Sequence, residues 1–220
     1  MKKTIAVIVA HPDDEAFFMS GTIAKYAKQG HDIYLLCATK GEEGEQHKNE
    51  DVRQVHEIRE EELLESAKTL GVKQVFFLGF RDGTLSNSLY HKLADSIVEI
   101  LEKIKPEIMI TIEPRGISGH IDHITISMVS TYVFEKLTFV KKIMYFCFTD
   151  EVRNSFHSYY IYFPPGYKKG EINHIEDVSG VWEQKMKAIQ SHKSQLKDGS
   201  RVMKRLSLFP KEEHFIVRQK

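Results

Sequence analysis

The chain has 220 residues, 41% of them hydrophobic and 28% charged, with 31 Lys plus Arg set against 31 Asp plus Glu. This is ordinary globular usage, so disorder, collagen and coiled coil are excluded as whole-chain descriptions, and no apolar run reaches the roughly 18 residues of a bilayer span. A net charge of zero offers no long-range field to nucleic acid or an anionic membrane, and leaves self-association into a homo-oligomer unopposed by repulsion.

Lys2 and Lys3 ahead of an apolar stretch resemble the start of a secretory leader, but the stretch ends at His11 and Pro12 with no small-residue cleavage site. Residues 4–10 therefore read as a first strand, and the protein as cytoplasmic. They are rich in β-branched side chains, as a strand buried on both faces requires, and residues 13–29 follow as a helix closed by Gly30. Residues 33–38 make strand two. A charged, glycine-bearing loop, 39–51, precedes a helix over 52–70, where Val55, Ile58, Leu63, Ala67 and Leu70 recur at near-helical spacing before Gly71. Residues 75–78 are strand three. Beyond the turn at 79–83, Leu89, Leu93, Ile97, Ile100 and Ile104 mark one helix face, and Pro106 announces strand four at 108–112. Another helix starts near His123.

Strands alternating with helices in this way predict a single-domain, Rossmann-like α/β fold, a doubly wound and mostly parallel sheet, over residues 1–220. After Tyr145 the pattern is less regular. Aromatic residues cluster at 159–163, a Pro-Pro-Gly turn occupies 164–166, a helix is expected over 181–196, and 215–217 is a final strand candidate. Cys37 and Cys147 lie in strand-like apolar runs and read as buried, inert thiols.

The segment Ala10-His11-Pro12-Asp13-Asp14-Glu15 stands at the carboxyl end of strand one, the edge at which open α/β sheets bind ligands. Capping explains it as well, because Pro12 suits a first helical position and three acids suit the positive end of a helix dipole. A dinucleotide fingerprint does not: the phosphate-cradling glycines are absent and a carboxylate triplet would repel pyrophosphate. A second cluster, Gly119-His120-Ile121-Asp122-His123, stands just beyond strand four. With strand order 3-2-1-4 both clusters open onto one crevice at the topological switch point. His11 and Asp14 are three apart, as are His120 and His123, so each pair can share one side of a helical turn. Imidazole nitrogens and a carboxylate are ligands that Zn²⁺ accepts, and three protein ligands with an open fourth position define a catalytic site. Fe²⁺ suits a His-Asp-His site too. Ordinary surface histidines near helix starts are the competing reading.

These two segments resemble the zinc-dependent N-deacetylases of the PIG-L or LmbE-like family, which act mostly on small molecules bearing N-acetylglucosamine. The resemblance extends to Thr39-Lys40-Gly41-Glu42-Glu43-Gly44, to the arginine helix around Arg59, to Arg81-Asp82-Gly83 and to the late His192-Lys193-Ser194-Gln195. Ile121 stands where the family usually has proline, which is expected to loosen the loop. The resemblance implies that His11, Asp14 and His123 hold the metal and that Asp13 is the general base. Zn²⁺ lowers the pKa of bound water to about 7, and a carboxylate not committed to the metal can take its proton. His120, one turn from His123, is placed to stabilise the oxyanion and is expected to be protonated for that purpose. Asp122 either raises its pKa or orients a ligand histidine. Whether Asp13 or His120 protonates the departing amine stays open.

For Arg59 the resemblance implies substrate contact, the bland alternative being an ion pair with Glu62 one turn away. Glu42 and Glu43 sit on the loop at the same edge and can reach substrate hydroxyls, while Asp82 is equally a turn former. The resemblance makes His192 a further substrate-binding candidate. Tyr159, Tyr160, Tyr162, Phe163 and Tyr167 suit a sugar pocket, a subunit contact or a core strand. The expected activity is zinc-dependent removal of an acetyl group from an N-acetylated amino sugar or its glycoside. Cleavage of a related sugar-thiol amide, and a metal-binding module without turnover, are the alternatives.

Overall fold

The computed structural model describes residues 1–44, 54–156 and 162–220. In chain order they form β1 (Thr4–Val9), α1 (Asp14–Phe17), α2 (Ser20–Lys28), β2 (Asp32–Cys37), α3 (Val55–Leu70), β3 (Gln74–Phe77), α4 (Tyr90–Ile104) and β4 (Ile108–Ile112). There follow α5 (Ile121–Lys136), β5 (Lys142–Cys147), α6 (Asp150–Asn154), β6 (His174–Asp177), α7 (Trp182–Ser191), α8 (Leu196–Leu206) and β7 (Glu212–Gln219), with single 3-10 turns at Ser179–Val181 and Lys193–Gln195.

Seven strands make one sheet in the order β3-β2-β1-β4-β5-β7-β6. The first five pair in parallel, β7 runs antiparallel to β5, and β6 antiparallel to β7. β1 is central because Ile5 through Val9 are apolar on both faces, and all five are fully buried. It pairs with β2 on one side, Val9 opposite Cys37, and with β4 on the other, Val7 opposite Ile110. The chain moves outward from β1 to β3 and then returns to lay β4 beside β1. Right-handed crossovers in opposite directions put their helices on opposite faces, with α2, α3 and α7 packed together in one layer and α4 with α5 in the other. The loops after β1 and β4 therefore meet at the switch point, where the sheet leaves a crevice.

Two expected helices are broken, and both breaks are held by distant side chains. The helix over 13–29 divides at Phe18 and Met19 because Glu213 of β7 accepts the backbone N–H groups of Gly21 and Thr22, at 2.8 and 2.7 Å, starting a new helix there. Lys185 of α7 takes the freed carbonyl of Phe18 at 3.1 Å and pairs with Glu213 at 2.6 Å. The helix over 181–196 stops at Ser191 because Glu62 accepts from the Ser194 backbone and hydroxyl, both at 2.7 Å, bending the chain at His192. Helix α3 starts at Val55, where the Gln54 N–H donates to Glu57 at 3.2 Å; Val52 and Arg53 lie outside the described residues, as do Tyr159 and Tyr160. The final strand is longer than expected, because β7 pairs with β5 over six residues. Cys37 and Cys147 are both buried and free. Among the described residues no helix is long and apolar enough to cross a membrane.

Candidate active site

Asp14 begins α1 immediately beyond β1, and its carboxylate is anchored to the strand end. Oδ2 accepts the N–H groups of Ala10 and His11, at 3.1 and 2.9 Å, which leaves Oδ1 3.0 Å from Nε2 of His123. Burial opposes its charge, but the His123 and His11 imidazoles hold the carboxyl well below the usual carboxylate range. His123 Nδ1 lies 3.1 Å from the Gly116 carbonyl, which can only accept, so that nitrogen carries a proton and Nε2 is the one left to bind a cation. Nε2 of His123 is 3.2 Å from Nδ1 of His11, whose other nitrogen faces Asp82 Oδ1 at 2.9 Å and Asp122 Oδ2 at 3.4 Å.

His11 Nδ1, His123 Nε2 and the Asp14 carboxylate thus converge, all buried, and once His11 gives up its Nδ1 proton the three can share one cation. Burial works against charge on His11, yet the Asp122, Asp82 and Asp14 carboxylates outweigh it and raise its pKa to about 10. A tetrahedral zinc with bonds of about 2.0–2.1 Å holds its ligand atoms about 3.3 Å apart, close to the 3.0 and 3.2 Å seen here. The donor set fits a divalent cation. Among the described residues, two groupings, His11 with His120 and His123, and His11 with Asp82 and Asp122, bring one ligand atom each within 4.8 Å of one another. In them, His120 Nδ1 and the Asp122 carboxylate already accept backbone N–H groups. Nδ1 of His120 accepts from the Asp122 N–H at 3.1 Å, and Asp122 accepts from Gly83 N at 2.8 Å and Leu85 N at 3.2 Å.

Asp13 stands beside this cluster with φ at 112°, a region that side chains rarely adopt and that costs of order 1–3 kcal/mol. Two side chains hold it. Its N–H donates to Glu15 Oε2 at 3.1 Å, and Arg59 Nη2 lies 3.1 Å from its Oδ2 while also binding the Pro12 carbonyl. Arg59 Nη1 donates to the Gly41 carbonyl at 3.0 Å, and a Cβ at Gly41, where φ is 69°, would come within 2.2 Å of that nitrogen. Glu15 is in turn fixed by His192 Nε2 at 2.8 Å and the Ser66 hydroxyl at 2.6 Å. Burial raises the Asp13 carboxyl to about 6, against the pull of Arg59 and with help from Asp14.

This geometry corrects several expectations. Arg59 does not pair with Glu62, which turns to Ser194; it binds the strand-one loop and Asp13. Arg59, Asp82 and His192 are 4%, 7% and 0% exposed, and each is engaged with other residues of the chain. They stand behind Asp13 and His11. Glu43 is exposed but pairs with Arg81 at 2.9 Å, and Glu42 accepts from Asp82 N at 3.1 Å, so both brace the turn after β3. The expectation that Asp122 keeps His120 protonated also fails: burial and the neighbouring His11 and His123 lower the pKa of His120 to about 4, and the Asp122 carboxylate is turned to Gly83, Leu85 and His11. With Nδ1 accepting, a neutral His120 carries its proton on Nε2. Its ring packs edge-on at 4.7 Å from that of His11, and it caps α5, which begins at Ile121, a position where an N–H has no helical partner and proline and isoleucine serve alike.

His120 also borders an open crevice of about 780 Å³, lined with Arg115, Ile121, Tyr162, Pro164 and Pro165. Tyr162 and Phe163 lie in no strand, and Tyr167 is buried. Three acids that carry much of the geometry were missed as site residues: Glu15, Glu62 and Glu113. Glu113 gave a local signal, as an acid directly after a strand that is apolar but for Thr111 and just before Pro114, and Glu15 gave one as the third acid of the segment after strand one.

Comparison with known proteins adds lineage to this geometry. Residues 6–133 match the family model described as PIG-L, GlcNAc-PI de-N-acetylase. The chain is 28% identical to 1D-myo-inositol 2-acetamido-2-deoxy-alpha-D-glucopyranoside deacetylase of Mycobacteroides abscessus, over 98% of this chain and 91% of that protein. Among solved structures, N,N'-diacetylchitobiose deacetylase from Pyrococcus horikoshii superposes with a TM-score of 0.76 at 23% identity, covering 99% of this chain and 84% of that one. A 4-carboxy-2-hydroxymuconate hydratase from Pseudomonas putida KT2440 superposes with a TM-score of 0.71 at 19% identity, over 100% and 97%. The same fold thus carries a second chemistry, and the likeness of structures speaks for the fold alone.

Proposed function

Because the chain belongs to the PIG-L family, we propose that it is a metal-dependent amide hydrolase that removes the acetyl group from an N-acetylglucosamine unit of a small molecule or glycoside. The observation that carries this reading is the convergence of His11 Nδ1, Asp14 Oδ1 and His123 Nε2 beside the clamped carboxylate of Asp13. The family description and the mycobacterial and archaeal relatives name N-acetylglucosamine attached to inositol or to a second sugar, so the acetamido sugar is their shared part.

His11, Asp14 and His123 would hold the ion, zinc or Fe²⁺, which when bound polarises the amide carbonyl and acidifies a water. Asp13 is the base. Its carboxyl, raised to about 6, is ionised at neutral pH yet basic enough to accept the water proton, and once protonated it delivers that proton to the departing amine. His120 contributes a neutral N–H from Nε2 to the oxyanion and needs no charge to do so. Asp82 and Asp122 orient His11, Gly116 orients His123, and Arg59 with the Glu15–His192 pair keeps Asp13 in its strained conformation. The crevice beside His120 receives the rest of the glycoside.

A panel of N-acetylglucosaminides tests the reading, with acetate and free amine measured for zinc-loaded and metal-stripped protein. Acetate released in step with amine, only with metal, is the expected result. Binding of amino sugars without release would replace the enzyme by a binding module.

A further inference from the structure

Glu113 is a buried acid that the mechanism leaves unused and that lies next to the metal-site loop. It directly follows β4, is 2% exposed, and spends both carboxylate oxygens on the loop that leads to His120 and His123. Oε2 accepts the N–H of Arg115 at 2.6 Å and the hydroxyl of Tyr167 at 2.7 Å; Oε1 accepts the N–H of Ile117 at 2.6 Å. The Arg115 guanidinium covers the Tyr167 ring at 4.0 Å, so the phenol is held from both sides.

Between those two N–H groups lies Gly116, whose carbonyl is the partner of His123 Nδ1 at 3.1 Å. The next residue, Ile117, is buried and β-branched yet has φ at 57°, a conformation a free loop would abandon. A carboxylate gripping the amides on either side of Gly116 opposes that relaxation and so keeps the Gly116 carbonyl aimed at the imidazole.

We propose that Glu113 is a positioning residue for the metal site: through Arg115, Ile117 and Tyr167 it sets the loop conformation that fixes the His123 proton on Nδ1 and frees Nε2 for the ion. This rests on the metal-site reading above and concerns metal affinity, not the identity of the substrate. Glutamine at 113 keeps the shape but replaces one acceptor by an N–H₂ group facing a backbone N–H, so one side of the grip is lost.

The test is zinc affinity of the full-length, metal-stripped chain, by competition with a chelator. Glu113→Gln should bind zinc 10- to 100-fold more weakly than wild type, the usual scale for a group that orients a metal ligand, with the circular dichroism of the metal-free protein unchanged. Glycine adopts the left-handed region without strain, so in an Ile117→Gly background the same Glu113→Gln change should cost distinctly less affinity. A generic loss of stability would not shrink in that background. If Glu113→Gln does not fold, Tyr167→Phe, which removes one of the three bonds, gives the same test: weaker zinc binding, again with a smaller effect beside Ile117→Gly. Wild-type affinity in the substituted chain, or an equal loss in both backgrounds, overturns the proposal. Failure of the wild-type chain to bind zinc would overturn the metal-site reading instead.

Discussion

Raising the pH should tighten metal binding and loosen the metal-free fold, and both effects trace to one proton on His11. In the metal-free chain the Asp122, Asp82 and Asp14 carboxylates hold His11 charged, with its pKa raised from 6.5 to about 10 despite burial. An ion bound at Nδ1 must displace that proton. Asp14, held well below the usual range, contributes none. Affinity should therefore rise about tenfold, or about 1.4 kcal/mol, for each pH unit, and about a hundredfold from pH 6 to pH 8. The sign for folding is opposite. A histidine with a raised folded pKa gives its full stabilisation below pH 6.5, and that contribution is lost as pH rises towards about 10. Zinc affinity by chelator competition over pH 6 to 8.5 checks the first effect, and calorimetry at pH 7 in two buffers of different ionisation heat counts the released protons. An affinity that stays flat from pH 6 to 8, with no proton released, would refute the reasoning.

Asp13→Asn should lower kcat by about 10²- to 10⁴-fold, the typical share of a general base, while binding one equivalent of metal as wild type does; substantial residual turnover would remove Asp13 from the mechanism. In wild type, kcat/KM should fall on the acid side at or below about pH 6 as Asp13 takes up a proton, the bound cation pulling its carboxyl down from the metal-free value, a limb readable from initial rates across pH 4.5 to 8. Lys185→Met leaves the buried Glu213 without its cation and with only two N–H partners, so chemical denaturation should show a loss of about 3–5 kcal/mol with the metal site intact. His192→Ala should leave KM nearly unchanged and reduce kcat, because His192 reaches Asp13 only through Glu15; a KM effect dominating in steady-state kinetics would return it to substrate contact.

The first half of the chain was legible because each element there is set by local signals. The run of β-branched residues at β1, the periodic face of α4 and the glycine stops at Gly30 and Gly71 are all written in adjacent residues. The strand order followed from handedness, which needs no side-chain detail. The breaks at Phe18 and His192 were not legible, since they depend on Glu213 and Glu62, 192 and 132 residues away in sequence from the amides they cap. For the same reason residue types at the right edge of the sheet pointed to a site, but not to which of them face outward. Arg59, Asp82 and His192 are charged or titratable and lie in recognisable motifs, yet each is turned inward by a partner from another element. Asp122 shows the limit most clearly. Its place two residues from His120 suggested either an electrostatic pair with that ring or a carboxylate orienting a ligand histidine, and only the backbone amides of Gly83 and Leu85, invisible to sequence spacing, turn it towards His11.

Anomalous diffraction at the zinc edge, from crystals of the zinc-loaded protein, tests the central claim most directly. One peak should lie about 2.0–2.2 Å from His11 Nδ1, His123 Nε2 and a carboxylate oxygen of Asp14. A peak on the far side of the His11 ring, among Nε2, Asp82 and Asp122, or none touching His123, would contradict it.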